Sequence, residues 1–444
     1  MTRTATIDRF GERSVTRRSG ATVHDILLIS YYQEDTRTLL RVVDTLAQKT
    51  QVRPISLLTA QGPERESAVR VLKERAVELY EELSEQDADV VGHAYNPFYH
   101  TYLLRKASIA VSQRILQRIR PRAILCTNNF LGGHFLRAAR RLGIPSLGVL
   151  WTHVGTPEFH RAWSKAETRA SDAEARPLVR LRRKVRRALY RLAGLGQQSW
   201  APLMPVTCLA LPGPFYRDVC LRAGLPAERL VVTGNIQCDD MYRCSQLDAA
   251  TLADVRRSVG VPPDRPYLLY AVEHVARLHH LSPESGRDAM ATILRAMRTA
   301  FPELPRVVKL HPKQGDDDRA RIQSVDPHAI VLQESRGIGE LVAAAGVVVS
   351  TISSSLLWAV GIDRPAISAY FWQGVDEQRA LRMKQGVEHA DTFDALVTAL
   401  RNNVENPEHV AQWQARRAAA REVFLRVDGH SADRIAMKLL SLLS

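Results

Sequence analysis

The sequence predicts an α/β protein of two doubly wound halves, each with its own parallel sheet. Short apolar runs alternate with helix-length amphipathic segments along most of the 444 residues, the signature of βαβ units. That alternation stops in a strongly charged stretch at 156–198 and pauses again at 246–266. Two of the apolar runs also end abruptly in polar residues: Val307-Val308-Lys309-Leu310-His311-Pro312, and Val347-Val348-Val349-Ser350-Thr351-Ile352-Ser353-Ser354-Ser355. A buried strand of an open α/β sheet delivers its carboxyl end to a ligand crevice in this way.

In chain order, 25–30 (DILLIS) and 54–58 (PISLL) read as strands, with a helix between them that reaches Ala47. Helical patterns follow at 66–85 and 102–119, then a strand at 123–126, a polar turn at Thr127-Asn128-Asn129 and a helix reaching Leu142. Gly143-Ile144-Pro145 ends that helix and leads into a strand at 146–150. After the charged stretch come a strand at 207–211, a helix near 215–223 and a strand at 230–233. The second series is a strand at 267–272, a helix at 284–300, a strand at 306–310 and a helix at 317–323. It continues with a strand at 329–332, a helix at 339–345, a strand at 347–350, a helix at 353–360 and a strand at 366–369. The tail, 407–444, is helical nearly throughout. The uncharged run 341–362 is long enough to mimic a membrane span. Its central hydroxyls split it instead into helix end, strand, turn and helix, so no transmembrane segment is expected.

These elements group as a loose tail at 1–21, a first Rossmann-like domain at 22–245 carrying a basic insertion at 156–198, and a linker at 246–266. A second Rossmann-like domain at 267–406 and C-terminal helices at 407–444 complete the chain. The two halves are expected to face a central cleft.

Lys and Arg number 61 against 47 Asp and Glu, a net charge of +14. That balance favours an anionic partner without choosing among nucleotide, nucleic acid and acidic membrane. The five cysteines are scattered, with no CxxC pair and no zinc-like spacing, which suits a reducing cytoplasm better than a disulfide framework. No apolar stretch of secretory type opens the chain.

Lys309, His311 and Pro312 close one strand. There a His can donate to a phosphate oxygen and offset charge on a leaving nucleotide. Ser350, Thr351, Ser353, Ser354 and Ser355 supply five hydroxyls at a helix start. One cap needs one hydroxyl, so the excess suits a phosphate held at open helix N–H groups. The turn after Val272 holds Glu273, His274 and Arg277, with His279 and His280 beyond; His274 is a phosphate or leaving-group contact in this reading. The histidine spacing matches no standard metal site, and no metal is expected. In the first half, Glu34 and Asp35 follow the first strand, where a carboxylate can deprotonate a hydroxyl, although acidic residues also suit a helix start in their own right. His153, in Trp151-Thr152-His153-Val154-Gly155, competes as base or acceptor contact.

Residues 178–192 spell LVRLRRKVRRALYRL. Leu178, Leu181, Val185, Leu189 and Leu192 form a helical stripe among seven basic side chains. Such a helix either lies on anionic lipid or docks by its stripe with a solvated basic face. Nucleic acid is disfavoured because interleaved aromatics are lacking.

With these residues in hand, the chain resembles the GT-B superfamily, and within it bacterial capsule and surface-polysaccharide glycosyltransferases with a Lys-x-His-Pro motif. Lys309-Leu310-His311-Pro312 matches that motif. Ser350 to Ser355, followed by Leu356-Leu357-Trp358-Ala359-Val360-Gly361 and Arg364-Pro365, resembles its hydroxyl cluster and following helix. Gly224-Leu225-Pro226 through Val231-Val232-Thr233-Gly234-Asn235 with Asp239 resembles the segment closing the first domain, and Gly143-Ile144-Pro145 with His153 and Gly155 another family region. The resemblance spans roughly 22 to 410. It implies that His311, Ser353, Ser354 and Ser355 bind the donor's phosphates, that Glu34 or Asp35 is the base, and that no metal or other cofactor is bound. The chain departs from the family in its basic 156–198 and in lacking a clear glutamate for a ribose.

The function expected from sequence is therefore transfer of a sugar from a nucleotide-activated donor to a surface-glycan or lipid-linked acceptor. The place expected is the cytoplasm, with a peripheral position on the inner face of the membrane open through 178–192. Two rivals share the fold, a CDP-polyol phosphotransferase of teichoic-acid type and a non-hydrolysing sugar-nucleotide 2-epimerase. A rival of another class is a basic nucleic-acid- or membrane-binding protein.

Overall fold

A computed structural model of the chain describes residues 23–30, 33–58, 63–79, 102–127, 133–150, 181, 205–273, 283–311, 314–333, 337–351, 353–371 and 384–443. They form two all-parallel sheets. The first contains β1 (His24–Ser30), β2 (Val52–Leu58), β3 (Glu78–Leu79), β4 (Ala123–Thr127), β5 (Ser146–Val149), β6 (Cys208–Leu211) and β7 (Leu230–Val232), in the order β3-β2-β1-β4-β5-β6-β7. The second contains β8 (Leu268–Ala271), β9 (Arg306–Lys309), β10 (Ile330–Leu332), β11 (Val347–Ser350), β12 (Ala366–Ala369) and β13 (Glu388–Ala390), in the order β10-β9-β8-β11-β12-β13. Strand order reverses between β1 and β4 in one sheet and between β8 and β11 in the other. These switch points are where open α/β sheets leave a crevice.

Both sheets are covered on two faces, as parallel sheets must be. In β1 the alternation is direct: Leu27 and Ile29 pack beneath α3 (Tyr102–Ile119) and α4 (Gly133–Arg141). Ile26 and Leu28 face α1 (Gln33–Ala47) and α2 (Pro63–Glu74). In the second sheet, Leu269, Val307 and Val348 share a core with α7 (Ala249–Ser258), α10 (Ile338–Ala344) and α11 (Ser355–Ile362). Tyr270, Val308 and Val349 share the opposite core with α8 (Pro283–Ala300) and α12 (Phe393–Glu405). The remaining helices of the described residues are α5 (Pro214–Arg222), α6 (Ile236–Ser245), α9 (Asp316–Val325), α13 (Pro407–Ala420) and α14 (Ser431–Ser441).

The run 341–362 divides as its hydroxyls imply, into the end of α10, β11 and α11. Among the described residues, no helix is long and apolar enough to cross a membrane. The helix expected at 66–85 is corrected: α2 ends at Glu74 and the chain re-enters the sheet as β3. Ala76 takes a left-handed conformation (φ 50°), and the Val77 N–H reaches back to the Leu72 carbonyl. This closing bond spends an orphan carbonyl and stops the helix. Residues 80–100 lie outside the described residues.

The C-terminal tail does not stay with the second sheet. After α13 a π-helical turn (Arg421–Leu425) crosses over, and α14 seats Ile435, Ala436 and Leu439 in the core of the first sheet beside α1. Each buried Ile or Leu there contributes about 1.5–3 kcal/mol. Polar contacts fix the docking. The Asp239 carboxylate accepts from the N–H groups of Ser431 (2.8 Å) and Ala432 (2.9 Å), at the start of α14. Arg434 forks onto Asp428 (2.8 Å for both bonds) and donates to the Thr233 carbonyl (2.6 Å). Where the turn meets the first unit, Phe424 packs on Phe215 with ring centroids 4.6 Å apart.

Candidate functional site

The second switch point is lined by side chains at the carboxyl ends of β8, β9, β11 and β12. Pairing sets Lys309 opposite Ala271 and Ser350 opposite Ser368, with Val349 opposite Tyr270. Lys309, Ala271, Ser350 and Ser368 therefore lie in one row, with strands about 4.8 Å apart. His311 and Glu273 stand two residues further along their chains.

Several hydroxyls expected at a phosphate are spent inside the protein. Ser350 is fully buried and donates to the Ala271 carbonyl across the switch point (2.6 Å). Thr351 donates to the Glu273 carboxylate, and Ser368 donates to the Thr351 carbonyl. Glu273 and Thr351 are both buried. A hydroxyl-to-carboxylate bond in such a place is short and strong because the acceptor is charged. Burial and the Glu273 charge, in that order, push the phenols of Tyr270 and Tyr370 far above the ordinary tyrosine range.

At the start of α11 the remaining hydroxyls differ from one another. Ser353 accepts from the Ser355 N–H (3.2 Å), while Leu356 and Leu357 N–H groups bond the carbonyls of Ser353 and Ser354. The open helix start expected from sequence is corrected to this extent, because tight local bonds take three of its donors. The Ser354 side chain is exposed. Ser355 is buried, and its hydroxyl has no hydrogen-bond partner among the described residues. An unused buried hydroxyl beside the positive end of a helix keeps a hydrogen-bond donor in reserve.

Lys309 is half-buried, and its ammonium donates to the carbonyls of Leu310 (3.0 Å) and Gln333 (2.9 Å). Those bonds tie the tip of β9 to the end of β10. The backbone of His311 closes a turn with Gln314: its N–H meets Oε1 (2.8 Å) and its carbonyl accepts the Gln314 N–H (2.9 Å). The imidazole of His311 is thus carried on a pinned backbone, half-buried at the tip.

At the first switch point, Ser30 closes β1 and its hydroxyl bonds that of Thr36 (2.8 Å). Both carboxylates of the expected base pair stand in the first turn of α1. Glu34 is exposed and paired with Arg37 (2.7 Å), whereas Asp35 is buried. Thr127, at the end of β4, has a buried hydroxyl with no hydrogen-bond partner among the described residues. His153 and His274 lie outside the described residues, as do most of 156–198 and, except for Leu181, all of 178–192. Among the described residues, no three His, Cys, Asp or Glu side chains converge as metal ligands.

The structure adds Glu273, Ser368, Tyr270 and Tyr370 to the neighbourhood of the second switch point. Sequence reading placed Glu273 in the turn after β8 without a role. The available signal was one acidic residue directly following a wholly apolar strand. Chemically, a carboxylate only accepts, so the phosphate-compatible part of this tip is the start of α11 and the His311 turn.

No protein-family model matches the chain, and no curated protein matches it significantly. Solved structures do resemble it. UDP-GlcNAc 2-epimerase from Neisseria meningitidis, bound to UDP-GlcNAc, superposes with a TM-score of 0.61 at 13% identity, over 94% of this chain and 100% of that one. A glycosyltransferase from Rickettsia africae gives 0.54 at 10% identity over 95% and 97% of the two chains. MurG from Acinetobacter baumannii gives 0.51 at 12% over 94% and 99%. At these identities the likeness establishes the fold. The protein has the GT-B fold of two Rossmann-like α/β units.

Proposed function

We propose that this protein is a sugar-nucleotide enzyme, and specifically a glycosyltransferase that moves a sugar from a nucleotide donor to a glycan or lipid-linked acceptor. The observation that carries the reading is the Ser355 hydroxyl at the start of α11, beside the second switch point, which has no partner among the described residues. Nucleotide-sugar binding by neighbours of the same fold supports it. In this reading the donor's phosphates lie against Ser353, Ser354 and Ser355, with His311 and Lys309 on the β9 side and His274 at the β8 turn. The acceptor hydroxyl gives its proton to Glu34 or Asp35, or to His153, as its oxygen bonds the anomeric carbon. The bond from that carbon to the nucleotide's phosphate oxygen breaks, and the released charge is met by the His311 imidazole and the positive end of α11. No metal is needed for those steps. The basic segment 178–192 holds the protein against anionic lipid, where a lipid-linked acceptor resides.

A second reading is favoured by the number of 2-epimerases among the structural neighbours: isomerisation of a sugar nucleotide with no acceptor. The test is a thermal-shift screen against CMP, CDP, UDP, dTDP and GDP, repeated on His311→Ala, followed by product analysis with the nucleotide-sugar selected. A selective rise that is lost in the variant supports the donor site. New glycan identifies the transferase and an isomerised donor the epimerase. A folded protein indifferent to every nucleotide overturns both readings.

A further inference from the structure

Four arginines, Arg256, Arg364, Arg417 and Arg421, follow one another as neighbours at the opposite pole of the second unit. In a parallel α/β unit each helix ends near the start of the next strand, so the ends of α10 and α11 lie at the amino ends of β11 and β12, away from the switch-point tips. Arg364 Nε donates to the Ala343 carbonyl (3.0 Å) and Arg256 Nε to the adjacent Ala344 carbonyl (3.2 Å). Their guanidinium groups therefore stand side by side at the end of α10. Arg417 and Arg421 both reach one oxygen of Asp363, at 3.0 and 3.4 Å, and Asp363 is the left-handed residue closing α11.

Capping the helix ends explains part of this arrangement, since arginines suit the negative pole of a helix. It leaves charge and donors over. Among the described residues, Asp363 is the only carboxylate paired with any of the four. Among the described residues, no protein acceptor engages the two terminal nitrogens of Arg364 or of Arg417, or Nη2 of Arg256. Only 3% of the Arg417 side chain is exposed, so its guanidinium is held in place rather than trailing in solvent. Burial, and then the neighbouring Arg256 and Arg417, hold Arg364 below the ordinary guanidinium range. The group remains charged and gains from an added anion.

We propose that Arg256, Arg364, Arg417 and Arg421 form a second anion site, remote from the switch point, that takes a phosphate or diphosphate group. Guanidinium forks match phosphate oxygens two at a time, and several forks around one point select a multiply charged oxyanion. Arg421 lies in the π-helical turn that crosses to the first unit. A bound anion would therefore fasten the end of α11 to the crossing segment. The site is independent of the sugar-nucleotide reading, because none of its residues belongs to the tips of β8, β9 or β11.

The test titrates inorganic pyrophosphate into the full-length chain carrying His311→Ala, which removes a contact of the candidate donor site. Heat of binding at low ionic strength is the readout. The comparison is with the same protein carrying also Arg364→Gln and Arg421→Gln, whose amides retain a donor for the helix-end carbonyls. Arg401→Gln, an exposed arginine elsewhere, controls for net charge. The expected result is saturable binding weakened about tenfold or more by the double substitution and unchanged by Arg401→Gln. A parallel arm sediments the same proteins with phosphatidylglycerol or phosphatidylcholine vesicles. Dependence on the two arginines in the vesicle arm alone identifies a lipid headgroup as the source, and dependence in the pyrophosphate arm a free phosphate. Indifference of both arms to the double substitution overturns the site. If the variant fails to fold, phenylglyoxal labelling of otherwise unaltered protein decides. Arg364 and Arg421 should be protected by pyrophosphate or by phosphatidylglycerol vesicles, and absence of protection with both overturns the proposal.

Discussion

Thr351 donates its hydroxyl to the buried Glu273 carboxylate across the junction of β11 and β8. The bond joins the two strands that flank the second switch point and orients the backbone leading to α11. Thr351→Val keeps the shape and removes a donor from a buried charged acceptor. It should cost about 1–3 kcal/mol of stability, read as a lower urea midpoint with unchanged slope. With Glu273→Gln added, the two losses should fall short of additivity, because both act on one bond. Full additivity would mean that the pair is not coupled.

Asp239, in α6, caps α14 by accepting two of its N–H groups. Asp239→Ala should cost about 0.5–2 kcal/mol and raise amide exchange selectively in 431–441. Gly213→Ala acts on the same crossing from the other side. A Cβ there would lie 2.6 Å from the Val423 carbonyl oxygen and 2.7 Å from the Phe424 carbonyl carbon. Backbone cannot yield as a side-chain end does, so about 1–3 kcal/mol should be lost. Wild-type thermal stability in Gly213→Ala would show that the π-helical turn does not press on α5.

Asp428 supplies a pH-dependent part of that docking. Burial alone would raise its pKa, but the bonds from Arg434 and the His430 N–H, with the charges of Arg434 and Arg426, hold the carboxyl below the usual range. A group with a depressed folded pKa stabilises above its unfolded value, about 3.9 for Asp. That contribution is lost as pH falls through the lower folded value. Asp428→Asn should therefore be less stable than wild type from pH 7 down to about 4, with the gap closing below that. A gap that widens on acidification would reverse the assignment.

The parallel sheets were legible in the sequence because buried strands such as Ile26 to Ile29 and Val347 to Val349 are continuous apolar runs. β13 was not, since Glu388-His389-Ala390 has no apolar run and earns its place only by pairing with β12. The return of α14 to the first sheet was equally hidden. A tail of amphipathic helix states that it has a buried face, not which core receives it. At the site, the residue types around β9, β11 and α11 were readable, but their bonds were not. Serines and threonines look alike in sequence whether they bond a neighbouring carbonyl, as Ser350 does, or stand unused, as Ser355 does.

The thiols make a chemical check on burial. Burial pushes Cys126, Cys220 and Cys238 up to about 12. Cys208 is also raised, chiefly by burial, while Cys244 alone of the five is part-exposed. A thiol reagent at pH 8 should label Cys244 slowly in the native protein and all five cysteines only after unfolding. Fast labelling of Cys126 or Cys238 would contradict the packing of β4 or α6.

Ser350 and Ser355 separate stability from ligand binding within one hydroxyl cluster. Ser350→Ala breaks a buried bond to the Ala271 carbonyl and should cost about 1 kcal/mol or more of stability. Ser355→Ala removes a buried hydroxyl that has no partner among the described residues, so the apo protein should lose nothing and can gain stability. With a nucleotide diphosphate bound, the order reverses. A hydroxyl bond to a charged phosphate is worth about 1.5–3 kcal/mol, so Ser355→Ala should weaken affinity by roughly tenfold or more. Ser350→Ala should bind nearly as well as wild type once folded. The decisive measurement is the difference between apo and nucleotide-bound melting temperature in both variants. If Ser355→Ala destabilises the apo protein and leaves nucleotide affinity untouched, its hydroxyl is structural and the phosphates do not sit at the start of α11.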